Sequence, residues 1–187
     1  DVIAFATAGG DTVNLIKQSA EFGLKEKGRK FAALLTTTND VEATGLSVAQ
    51  GLIITQPFYS DLNDASRAWS ARFSQRQHGQ SPTAFHAGVY SSVLAYLNAA
   101  LAAGTNDAQA VIRKMKEKPI DDELFGPVVV RPDGRAIHNM YILQVKDPKT
   151  SKGKSDLLER VGVLTGPEAF RPIEQGGCAS VEQAKSN

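Results

Sequence analysis

The stretch Ala6-Thr7-Ala8-Gly9-Gly10-Asp11-Thr12-Val13-Asn14 decides how the chain reads. The apolar run Val2–Phe5 before it has the pattern of a buried strand. Residues 12–22 after it carry apolar side chains at 13, 16 and 20, the spacing of an amphipathic helix. Two glycines and an Asp suited to capping lie between them. A strand, a glycine turn and an exposed helix N-terminus put backbone N–H groups where a small polar ligand can meet them. The same residues also make a plain strand-to-helix turn. Lacking the third glycine, they are not a dinucleotide fingerprint.

Working outward, the first helix stops at Phe22-Gly23, and residues 31–35 form a second apolar run. The polar turn Thr36-Thr37-Thr38-Asn39-Asp40 follows, then a short helical stretch to Ala49 that Asn39 or Asp40 can cap. Gly51-Leu52-Ile53-Ile54-Thr55 reads as a third strand. Strands alternating with helices imply a parallel sheet, with both polar turns at the carboxyl ends of strands. Ligands bind at such ends in open α/β sheets.

The chain has 187 residues, 42% hydrophobic and 22% charged, an ordinary globular composition. Its formal net charge of +1 gives no electrostatic footprint for nucleic acid. No apolar run approaches the roughly 18 residues of a membrane span. The first residue is not Met and the chain opens in a strand-like run, so we expect processing to have removed a leader or the chain to be part of a longer protein. The single cysteine, Cys178, cannot close a disulfide within the chain, and cysteine usage leaves the compartment open.

Pro57 breaks the alternating pattern, and residues 58–64 read as an irregular connection, a crossing between lobes. A helix over about 65–77 sets Trp69 and Phe73 four apart. The longest helix spans about 85–103, with an apolar stripe of Val89, Val93, Tyr96, Leu97 and Leu101 expected to face a core. A shorter one covers about 107–117, with Ala108, Val111, Ile112 and Met115 turned inward. From Val128 the period becomes two, and 128–131 and 136–145 flank Pro132-Asp133-Gly134 as a β-hairpin. Residues 147–155 form a polar loop, 157–164 one more strand, and the small polar residues after Gly176 are expected to fray.

Catalytic chemistry finds little support. His78, His86 and His138 are scattered and lack metal-ligand spacing. There is no nucleophile elbow, P-loop or H-E-x-x-H motif. Asp61–Asp64 reads as a loop and helix cap rather than a cation site. We expect no enzyme activity, no cofactor and no metal.

Together, Ala8–Gln18, the run from Gly51-Leu52 through Phe58-Tyr59-Ser60-Asp61-Leu62-Asn63-Asp64, Ala87-Gly88-Val89-Tyr90-Ser91 and Ala102-Ala103-Gly104-Thr105 resemble the type I periplasmic substrate-binding proteins of ABC transporters, in the branched-chain amino-acid (Leu/Ile/Val) binding group. Pro132-Asp133-Gly134-Arg135 with His138-Asn139-Met140-Tyr141, and Phe170-Arg171-Pro172 with Cys178, resemble one branch of it. The resemblance runs over nearly the whole chain but matches only the second half of such a protein.

The resemblance implies an α/β fold of two Rossmann-like lobes with parallel sheets. Residues 1–56 fall in the C-terminal lobe, 57–137 in the N-terminal lobe, and 138–187 in the return to the C-terminal lobe and the tail. It implies capture of a small carboxylate, by hinge closure, in the periplasm (or outside the cell on a lipid anchor in a Gram-positive bacterium). Delivery would be to an ABC permease in the inner membrane. A ligand-sensing domain of the same fold in a receptor or regulator is the alternative. The expected partners are the missing N-terminal half of the same protein or a second copy in a self-paired dimer, and no nucleic acid.

The ligand contacts implied are Ala8, Gly9, Gly10, Asp11, Thr37, Thr38, Asn39, Asp40, Tyr59 and Tyr90. Gly9 and Gly10 fall where amino-acid binders of this family tend to carry a tyrosine. Thr37 to Asp40 fall near an acidic residue that meets the ligand's amino group, and Tyr90 at an aromatic contact from the other lobe. Glycine in place of tyrosine opens space, and no unambiguous glutamate is present. Both departures suit a bulkier carboxylate without an ammonium, such as an aromatic acid.

Overall fold

Four-residue apolar runs alternate with helices through the first third of the chain. The computed structural model describes residues 1–25, 27–179 and 181. It folds this part as β1 (Val2–Phe5), α1 (Gly10–Glu21), β2 (Lys30–Ala33), α2 (Thr38–Thr44), α3 (Leu46–Ala49) and β3 (Ile53–Gln56). β1 pairs parallel with β2 and β2 with β3, in the registers Ile3↔Phe31 and Ala33↔Ile54. Helix α4 (Asp64–Arg76) follows, then α5 (Ala84–Ala103), α6 (Ala108–Glu117), β4 (Ile120–Asp122), β5 (Gly126–Val130) and β6 (Ala136–Ile137). The chain continues as β7 (Met140–Val145), β8 (Leu158–Leu164), α7 (Gly166–Ala169) and a 3-10 turn at Ile173–Gln175.

These elements divide into two compact units, residues 1–84 with 141–163 and residues 85–140 with 164–187. The first unit holds a five-stranded sheet in the order β1-β2-β3-β7-β8. β7 enters it antiparallel to β3, with Ile54 opposite Leu143. Phe5, Ile16, Phe31, Val41, Leu52, Ile54, Leu143 and Val145 form its core with α1, α2 and α3. Buried side chains of this size account for most of the favourable energy of the unit. Trp69 on α4 is buried between Phe58 and Phe73, each with ring centroids 5.5 Å away.

The second unit carries a three-stranded antiparallel sheet, β4-β5-β6. The reversal after β5 is the turn foreseen at Pro132-Asp133-Gly134, closed by Gly134 N–H to the Arg131 carbonyl at 2.8 Å, with Gly134 at φ 84°. The long second hairpin strand expected over 136–145 does not form. It stops at His138-Asn139, where the His138 ring packs 5.3 Å from Phe125 and 5.2 Å from Phe170. Asn139 Oδ1 accepts from Gly166 N–H. Residues beyond this break join the other sheet as β7.

Two helical expectations change. The α5 stripe of Val89, Val93, Tyr96, Leu97 and Leu101 is exposed, and the small Ala87 and Ala99 are buried instead. In α6 only Val111 is buried, while Ala108 and Ile112 are exposed and Met115 is half-buried. The fraying expected after Gly176 falls partly on residues 180 and 182–187, outside the described ones. Within them, Val181 N–H reaches the Cys178 carbonyl and Val181 is buried.

Candidate functional site

Parallel pairing brings the turns after β1 and β2 to one end of one sheet, tied where Leu34 N–H donates to the Phe5 carbonyl at 3.1 Å. The β3 end joins them, with Gln56 Nε2 donating to the Thr36 carbonyl. All three strands therefore deliver their carboxyl ends to this corner, the place where open α/β sheets take ligands.

Gly9 is the N-cap of α1, with φ 56° and ψ −133°, a backbone that L side chains rarely adopt. No side chain caps the helix. Asp11, read as the cap, instead sits inside the first turn, exposed, where its charge favours the helix dipole. The turn is pinned from below by Thr12, fully buried, whose hydroxyl lies 2.8 Å from that of Thr7. A Cβ added at Gly9 or Gly10 would have no heavy atom within 4 Å. Ala8 is exposed beside them. The corner therefore combines uncapped amides with open space.

Across the sheet end, Thr37 is the N-cap of α2 in a reciprocal capping box. Its N–H and hydroxyl both donate to Asp40 Oδ2, at 2.8 and 2.9 Å. One Asp40 oxygen is thus committed to its own helix. Thr38 is half-buried and Asn39 exposed. Thr36 is 1% exposed, and its hydroxyl has no hydrogen-bond partner among the described residues.

Asn39 also lines a cavity of about 400 Å³ together with Glu42, His78, Gln80, Ser81 and Lys154. Sequence reading singled out Asn39 but not the others, because α2 and the two loops that supply them share no spacing. The pair His78-Gly79 marks the loop on one side of the cavity. Both residues are left-handed, with φ 52° and 82°.

Tyr59 lies in the core of this unit, 5% exposed. Its hydroxyl donates to the Ser155 carbonyl at 2.9 Å and accepts from Leu157 and Leu158 N–H at 3.0 and 3.3 Å. Burial raises the phenol above its ordinary 10.0, against the downward pull of the two amides. Tyr90 belongs to the second unit. It is 37% exposed, with its hydroxyl 3.5 Å from Glu123 Oε2. Asp61 and Asp64, weighed as a cation site, pair with Arg67, while Asn63 caps α4. Among the described residues no group of three His, Cys, Asp or Glu is placed to hold a metal ion.

The sequence profile of periplasmic binding proteins matches residues 1–154. The chain belongs to this family. A periplasmic binding protein from Burkholderia mallei is 40% identical over 95% of this chain, with a TM-score of 0.88. A branched-chain amino-acid ABC transporter periplasmic ligand-binding protein from Burkholderia xenovorans is 34% identical over 96%, also with a TM-score of 0.88. A solute-binding protein of an ABC transporter from Rhodopseudomonas palustris, solved with 3,4-dihydroxybenzoic acid, shares the fold at 22% identity over 89% of this chain, with a TM-score of 0.70. No curated protein matches significantly.

The binding-protein chain spans about half the length of these solved relatives, 47%, 48% and 45% of each. Its resemblance to the second half of a type I binding protein is thereby confirmed. Its relatives are solute-binding proteins of transporters rather than enzymes.

Proposed function

We propose that this chain forms part of the ligand cleft of an extracytoplasmic solute-binding protein that serves an ABC importer. The ligand is a small carboxylate, with an aromatic acid preferred over a branched-chain amino acid. The two lobes close on the ligand. The observation that carries this reading is the corner at Gly9 and Gly10, where uncapped α1 amides meet open space at the carboxyl ends of β1 and β2.

Helix N-terminal amides favour a carboxylate, and two glycines leave room for a ring beside it. Asp40 has one oxygen spent on its cap, which leaves less of it for a ligand ammonium. In this proposal Ala8, Gly9, Gly10, Asp11, Thr37, Thr38, Asn39 and Asp40 form the C-lobe side and Tyr90 the opposite side. Tyr59 supports them from the core.

Isothermal titration with 3,4-dihydroxybenzoate, benzoate and leucine tests the reading. Gly10→Tyr is the informative variant, because the positive φ of Gly9 would strain any side chain placed there. The ring should fill the corner and weaken aromatic-acid binding at least tenfold, about 1.4 kcal/mol. Unchanged affinity would remove the corner from the site. Asp40→Asn keeps a cap acceptor and removes the charge. It should weaken leucine and spare benzoate, and equal losses for both would return Asp40 to a purely structural role.

A further inference from the structure

Two cavities in the first unit share a wall made by Ser81 and Ser155, whose hydroxyl oxygens lie 2.7 Å apart. One, of about 400 Å³, is the cavity beside Asn39, with Glu42, His78, Gln80 and Lys154 around it. The other, of about 360 Å³, runs along α4, where Ser70 and Ser74 stand one turn apart with Arg67 and Ser60 beside them. Both volumes fall within the roughly 300–1,000 Å³ of small-molecule sites. Among the described residues neither wall includes an aromatic or a large aliphatic side chain. The Ser70 hydroxyl is the group that the fold leaves unexplained. Ser70 is 9% exposed, and its oxygen has no hydrogen-bond partner among the described residues. A serine inside a helix ordinarily points to water or bonds the carbonyl four residues back. A buried hydroxyl that does neither is a cost that a ligand's own hydroxyl can remove.

The charges around these walls cancel. Arg67 pairs with Asp61 and Asp64, Asp156 pairs with Lys146, and Glu42 offsets the charge of Lys154. A small ion therefore meets no uncompensated charge. An apolar ligand would take amides and hydroxyls out of water without replacing their hydrogen bonds. A ligand rich in hydroxyls replaces them, because each hydroxyl donates one hydrogen bond and accepts two. The forked ends of Asn39, Glu42 and Gln80 suit neighbouring hydroxyls on such a ligand. We infer that the paired cavities are a second binding site, for a neutral saccharide of two rings, one ring to each cavity across the Ser81–Ser155 wall. The site lies wholly within the first unit. Of the residues that form it, Asn39 alone is shared with the proposed carboxylate corner, and the inference does not rest on that reading.

The test is a nitrogen-resolved NMR titration of the whole chain with sucrose, maltose and trehalose. At least one of the three should give saturable amide shifts that cluster at Asn39, Ser70, Ser155 and residues 78–81. Ser70→Ala removes a hydroxyl that holds nothing among the described residues. It should keep or raise the urea midpoint and weaken the saccharide at least fivefold. Gln80→Ala, at an exposed position on the other cavity, should leave the circular dichroism unchanged and weaken the saccharide by a similar factor. Absence of saturable shifts with all three sugars, shifts scattered over the surface, shifts at the same residues with sodium sulfate or benzoate, or unchanged affinity in either variant would each overturn the inference. Saccharide binding by a chain that takes up neither 3,4-dihydroxybenzoate, benzoate nor leucine would uphold this site and sink the proposed function. Carboxylate binding without saccharide shifts would do the reverse.

Discussion

The Tyr59 hydroxyl holds three backbone groups at once, the Ser155 carbonyl and the amides of Leu157 and Leu158. Tyr59→Phe keeps the ring but leaves two buried N–H groups without that acceptor. Such a loss costs about 1–3 kcal/mol, and urea denaturation should show a lower midpoint with an unchanged slope. An equal midpoint would mean that water replaces the hydroxyl. At this scale the sequence was legible where backbone chemistry dictates the residue. Gly9 stands where φ is positive, whereas the α2 cap expected at Asn39 or Asp40 falls on Thr37, with Asp40 completing the capping box from inside the first turn. Tyr59 was not legible as a clamp, since its partners lie about a hundred positions away. An aromatic beside Phe58 at the crossing reads as cleft lining or, more readily, as packing. The orphan hydroxyl of Thr36 was equally hidden, because nothing local distinguishes it from its neighbours.

At the scale of elements, the parallel strands and their helices were readable from period and glycine punctuation, whereas the direction each helix faces was not. Spacing places Val89, Val93 and Leu97 on one side of α5 but does not say which side touches protein, and the alanines took the inward position. The second hairpin strand was overestimated because alternation continues through residues 136–145. Contacts of His138 with Phe125 and Phe170, distant in sequence, interrupt it. The polar loop before β8, expected to be merely solvated, is organised by one ion pair. Lys146 Nζ meets Asp156 Oδ1 at 2.5 Å, with side chains 17% and 15% exposed, and Asp156 Oδ2 accepts from Lys152 N–H at 2.8 Å. Burial pushes the Asp156 carboxyl up, but Lys146 and the Lys152 amide outweigh it, and its pKa is lowered from 3.8. The hydrogen bond to Asp156 raises Lys146 above 10.5, against a smaller opposing effect of burial. The lowered carboxyl contributes stability that is full above its unfolded value near 4 and is lost as pH falls through the folded value. The raised ammonium contributes stability that is full below 10.5 and is lost as pH rises through its folded value. Stability from this pair should be level through neutral pH and fall at both ends. Asp156→Asn should cost about 1–3 kcal/mol at pH 7 and flatten the acid limb, measured as denaturant midpoint against pH. An acid limb as steep as in the unaltered chain would assign it to other carboxylates.

At the scale of the whole molecule, family and fold were legible because several weak motifs occur in the right order, each uninformative alone. The two units differ in how much they bury. The first contains Phe5, Ile16, Phe31, Leu52, Ile54, Phe58, Trp69 and Leu143 among its buried residues. The second buries Val111, Leu124, Val128 and Val181 as its larger aliphatic side chains, together with Ala87 and Ala99, and leaves its longest helix apolar and wet. Conformational entropy costs about 1–2 kcal/mol for each ordered residue whichever unit it belongs to, so the unit that buries less is the less stable. Heating or urea should therefore unfold this chain in two steps rather than one. Native-state hydrogen exchange should show α5, α6 and the β4-β5-β6 sheet opening at low urea, while β2, β3 and β7 stay protected until the second step. Coincident loss of the Trp69 fluorescence signal and of α5 protection would contradict this order and show the two units to be energetically coupled.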